Sequence, residues 1–140
     1  VANLLDYKSS DSEFALKLAH PLMVETETQK AIDLELARAD QAHQAGNEGM
    51  ARVCARRAAG IAVREYFVHK NLGIADPSAF TLLTRLQKLE STPADIKIAA
   101  DNLLTRVTPD YRLPIPIDLT AQAKLLINWA ADQIKGDQLD

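Results

Sequence analysis

An all-α bundle of about five helices is the fold this chain predicts, and three observations predict it. Alanine, leucine, glutamate, lysine, arginine and glutamine dominate the 140 residues. Alternating β-branched and aromatic runs, which strands favour, are missing. Five periodic apolar segments follow one another across short breaks, and packing their stripes together is the simplest way to bury them. With 47% hydrophobic and 25% charged residues, the composition is that of one folded core. The expected organisation is a single helical domain over 1–140, with a peripheral N-terminal segment at 1–24 and the bundle core at 27–135.

Each element has its own signals. SSDSEFALKLAHPLM is expected as a short amphipathic helix, capped by Ser10 or Ser12 and ended near Pro21, that packs on the domain from outside. ETETQKAIDLELARADQAHQAG sets Ile32, Leu36, Ala39 and His43 near one face and stops at Gly46. The next helix, Glu48 to Leu72, samples an apolar stripe at Met50, Cys54, Ala58, Ile61, Ala62, Val68 and Leu72. The break at Gly46 to Gly49 predicts that these two helices form an antiparallel hairpin, with alanines that let the backbones approach closely. DPSAFTLLTRLQKLE is a shorter helix, capped by Asp76 with Pro77 in its first turn, burying Phe80, Leu83, Leu86 and Leu89. The fourth takes Thr92 as cap and Pro93 as first residue, buries Ile96, Ile98, Ala99, Leu103 and Val107, and ends at Pro109. The linker PDYRLPIPID holds three prolines, at 109, 114 and 116, and is extended. DLTAQAKLLINWAADQIKG closes the chain, with Leu119, Leu126, Trp129 and Ile134 facing the core, Met50 and Trp129 at core or rim, and Gly136 as the stop.

The net charge of -3 gives no global field to draw in nucleic acid or an anionic membrane. The charge is nevertheless segregated. Up to Asn47 there are 8 acids against 4 bases, whereas Glu48 to Asn71 holds 5 bases against 2 acids. Arg52 and Arg56 lie four residues apart, and Arg57 and Arg64 seven apart, so each pair shares a helix face. These four form a candidate ligand or partner surface, because the guanidinium fork suits phosphate oxygens of a nucleotide or RNA as well as the carboxylates of an acidic protein. The intramolecular alternative is pairing with Asp33, Glu35 and Asp40 of the preceding helix.

Other chemistries find little support. His20, His43 and His69 have no HExxH or cysteine-linked spacing, and no ExxH pair exists, so neither a metal nor a cofactor is expected. His43 is expected to pair with Asp40. GNEG lacks the lysine and strand context of a phosphate loop. The single cysteine, Cys54, is expected as a small buried apolar residue in a reducing compartment. With no apolar run of 18 residues and no signal-peptide core, the expected location is cytoplasmic, away from the membrane.

Taken in order, LARADQAHQAG, ARRAAGIAVREYF, FTLLTRLQKL, IKIAADNLLTRVTPDYRLP and AQAKLLINWAADQI resemble the HEPN superfamily from about Ile32 to Ile134. Those are small helical domains found beside or fused to minimal nucleotidyltransferases, and the resemblance implies an up-and-down helical core. It also implies a turn before the last helix, here Tyr111, Arg112 and Pro114 with Leu113 inserted. Many such domains are metal-independent ribonucleases carrying arginine, four to six residues, then histidine. Neither Arg106 nor Arg112 is followed by a histidine, so the late-helix pair is missing, and the literal match considered for catalysis is Arg64 with His69. The expectation is an interaction or regulatory module, a homodimer through the surface around the first two helices, with a nucleotidyltransferase as a possible protein partner. The alternative is a ribonuclease or toxin component using Arg64 to hold phosphate and His69 to move a proton.

Overall fold

The computed structural model describes residues 26–105 and 118–139. The chain divides into two units, Val1–Lys30 and Ala31–Asp140. Of the first, the described residues open a helix: Thr26 Oγ1 accepts from the Gln29 N–H at 3.0 Å, and Lys30 meets Glu27 at 3.7 Å. The stretch SSDSEFALKLAHPLM lies outside the described residues.

Five helices make up the described residues, and no strand occurs among them. They are α1 (Glu27–Gln44), α2 (Glu48–His69), α3 (Ala79–Lys88), α4 (Ala94–Leu104) and α5 (Leu119–Leu139). The fold is an all-α helical bundle. α2 is its axis, packing along α5 and against α3 and α4, while α4 bridges α3 and α5. The core joins Ile32 and Ala39 of α1 to Cys54, Ala55, Ala58, Ala59, Val63 and Phe67 of α2, and to Leu82, Leu83, Leu86, Ile96, Leu103, Leu126 and Ala130 of the rest.

The hairpin turn forms as the glycine pattern predicts. α1 ends with Gly46 at φ 79°, its N–H donating to His43 O and the following Asn47 N–H to Ala42 O, a pair of bonds that needs a left-handed residue. Asn47 then caps α2 by accepting from the Met50 N–H at 3.1 Å. His43 meets Glu48 across the turn, and farther along Glu35 lies beside Cys54, so residue numbers rise on one helix as they fall on the other. The two helices are antiparallel.

α2 stops at His69 and not at Leu72. Asn71, at φ 60°, takes the left-handed position, with its N–H on Val68 O and the Leu72 N–H on Phe67 O. Asparagine adopts that conformation through its short polar side chain, which a search for glycine overlooks.

Four further expectations are corrected. Ser78, and not Asp76, caps α3; Asp76 sits outside, accepting from the Ser78 N–H at 3.0 Å and from the Thr81 hydroxyl at 2.7 Å. Pro93 occupies the cap position of α4, while Thr92 is buried and donates its hydroxyl to Leu86 O at 2.9 Å. α5 runs through Gly136 to Leu139, because an exposed glycine weakens a helix by only about 1 kcal/mol and does not end it. Met50, Val68, Phe80 and Ile98 are exposed at 48%, 53%, 51% and 61%. Small residues take their place: Ala51, Ala55, Ala58, Ala59, Gly60 and Ala62 are all buried on α2. Where its neighbours press closest, α2 presents narrow residues to them, and Met50 and Val68 fall on the arc left open.

Gly60 marks the closest approach. A Cβ built there would lie 2.5 Å from Ala79 Cβ and 2.8 Å from Ala79 Cα, so α3 begins directly on the α2 backbone. The link between the two helices is held by Arg85, which donates to Gly73 O at 2.6 Å with its guanidinium 4.6 Å from the Phe67 ring centroid. On the other side Tyr66 packs on Trp129 of α5, the ring centroids 4.8 Å apart.

Candidate arginine surface on α2

A regular helix turns about 100° per residue, which divides the four arginines into two faces. Arg52 and Arg56 lie about 40° apart and are half-buried; Arg57 and Arg64 lie about 20° apart and are exposed. The centres of the two pairs are about 110° apart, so the residues expected to form one surface form two. Among the described residues neither Arg57 nor Arg64 makes an ion pair.

The Arg57 and Arg64 face has company. Met50, Val53, Ile61 and Val68 fall with them inside an arc of about 80° that runs about 27 Å along α2. Beside this arc lies the α1 seam. There Cys54 is 2% exposed, and burial pushes its thiol pKa up; the Glu35 carboxylate beside it, as negative charge and as hydrogen-bond acceptor, pushes it further. Arg57 and Arg38 act in the opposite sense on the same thiol, so both cations flank one seam. Arg38 also meets Glu35 at 3.6 Å. The reading from sequence passed over Arg38. The signal for it was the acidic neighbour one turn earlier on the same helix.

Of the acids expected to answer the arginines, Glu35 is half-buried and meets the exposed Arg38, while Asp33 and Asp40 are on the exposed side of α1. His43 pairs with Glu48 at 2.8 Å in place of the expected Asp40, because the turn brings the first residue of α2 alongside the last turn of α1.

α2 is unbroken through His69, and that decides the geometry of the proposed catalytic pair. Five residues at about 100° each leave Arg64 and His69 about 140° apart around the helix. Within one chain the two side chains therefore diverge. The predicted turn residues Tyr111, Arg112 and Pro114, together with His20 and Arg106, lie outside the described residues. Among the described residues no three His, Cys, Asp or Glu side chains gather as a metal site, and no helix is long and apolar enough to cross a membrane.

No family model matches the chain, and no curated protein or solved structure matches it.

Proposed function

We propose that the chain is a HEPN-like interaction or regulatory module that works without ribonuclease chemistry. The observation that carries this reading is the course of α2, which keeps Arg64 and His69 on different faces while leaving Arg57 and Arg64 exposed beside apolar side chains. A general base must lie within about 3 Å of the proton it moves while a cation holds the same phosphate, and diverging side chains do not meet that condition. The exposed cations and apolar residues instead suit a partner surface. A nucleotidyltransferase is the protein partner that the resemblance supplies, and the buried thiol of Cys54 suits the reducing cytoplasm.

The test is incubation of the wild type and His69→Ala with labelled single-stranded RNA and transfer RNA, in EDTA, from pH 6 to 8. No cleavage is expected from either. Cleavage by the wild type that disappears in His69→Ala would replace the module with a ribonuclease.

A further inference from the structure

We propose that the outer face of the α1–α2 hairpin docks an acidic amphipathic helix of another protein, with carboxylates two turns apart on Arg57 and Arg64. This rests on the interaction-module reading and names the partner chemistry of that site. Leu34 is 51% exposed on α1, one turn before Arg38, and Met50 and Val68, 48% and 53% exposed, bracket the arc of α2. Met50 and Val68, exposed, and Val53 and Ile61, half-buried between them, form an apolar row along the arc that a partner can cover.

Charge selects the occupant. The α2 arc holds two arginines and no carboxylate, and neither arginine has an ion-pair partner among the described residues. The third cation, Arg38, is already held by Glu35. A second copy seated on this face would set cations against cations, which opposes the homodimer expected on this surface. An acidic helix answers the face in both respects. Arg57 and Arg64 are seven residues, or about 10.5 Å, apart, and that is the rise between carboxylates at positions i and i+7 of a partner helix. An apolar residue three or four positions after the first carboxylate then comes over Ile61, which lies between the arginines.

The experiment uses the full chain and two synthetic helical peptides of about 20 residues, enough to span the arc. Both carry the same leucine stripe; one has glutamate at i and i+7, the other lysine. Fluorescence anisotropy is expected to show binding of the glutamate peptide, weakened about tenfold or more in Arg57→Glu/Arg64→Glu, with the lysine peptide now preferred. Circular dichroism of that variant verifies its helices. Equal binding of both peptides, no binding of the glutamate peptide, or indifference to the double reversal would overturn the proposal. So would a wild-type dimer in light scattering that dissociates on Met50→Lys/Val68→Lys, an outcome that leaves the module reading standing with a second copy as occupant. RNA binding with steep salt dependence, lost in the arginine double variant, would overturn it in favour of nucleic acid. Cleavage of RNA would instead remove the module reading itself.

Discussion

At Gly60 a single hydrogen decides how two helices meet. The start of α3 lies so close that a methyl group would overlap backbone as well as side-chain atoms of Ala79. Gly60→Ala gains about 1 kcal/mol of helix propensity but forces an overpacking that costs about 1–3 kcal/mol. We expect net destabilisation in urea unfolding, larger for Gly60→Val, and a smaller effect of Gly60→Ala when Ala79→Gly has removed the nearer methyl. Equal stability of Gly60→Ala and wild type would mean that α3 shifts without loss. The sequence carried no sign of this. Gly60 stands among alanines in a helical run, and its neighbour Ala79 is nineteen residues away, so only the packed bundle gives it a role. The arginines were more legible: their division into pairs follows from spacing alone. Which pair faces water depends on where α3 and α5 dock, and spacing does not contain that.

Among the elements, the ends were harder to read than the middles. Gly46 was visible because glycine is the usual left-handed stop, whereas Asn71 does the same task with a less distinctive residue. The cap falls two residues after Asp76, at Ser78, since Asp and Ser are both good caps and DPS offers either. Its structural part is a clasp on the first turn of α3. The Ser78 N–H and then the Thr81 hydroxyl donate to its carboxylate and hold its pKa below the ordinary 3.8. A carboxylate depressed in the folded state contributes stability that is present above its unfolded pKa and is lost as the pH falls through its folded one. Asp76→Ala should therefore lower the thermal midpoint at neutral pH, and the gap to wild type should close as the pH drops below 3.8. A gap independent of pH would place the effect in the side chain's shape and not in its charge. The hairpin of α1 and α2 was legible as a whole because a turn signal separated two long apolar periods.

For the whole molecule, the number and order of the helices among the described residues were legible from periodicity, and the buried side was legible in part. The stripe expected on α2 holds at Cys54, Ala58 and Ala62, which are buried, and fails at Met50 and Val68, while the bundle also closes over Ala55 and Ala59. Cys54 lies in that closed interior, so its modification reports on opening of the bundle. With its thiol pKa raised, the thiolate is scarcer at neutral pH than in an unfolded chain. Labelling by a thiol reagent should be slow in buffer and accelerate across a urea titration together with the loss of helical circular dichroism. Fast labelling before any helix is lost would reveal a separate opening of α1. The alanine lining of α2 also bears on entropy. An alanine has no rotamers to surrender on burial, whereas a methionine in its place loses about 1.5–2 kcal/mol of side-chain freedom. The alanine-lined stretch of this axis from Ala51 to Ala62 is thus immobilised largely at the expense of backbone freedom, while Val63, Tyr66 and Phe67 surrender rotamers farther along and the exposed Met50 and Val68 keep theirs until something binds them.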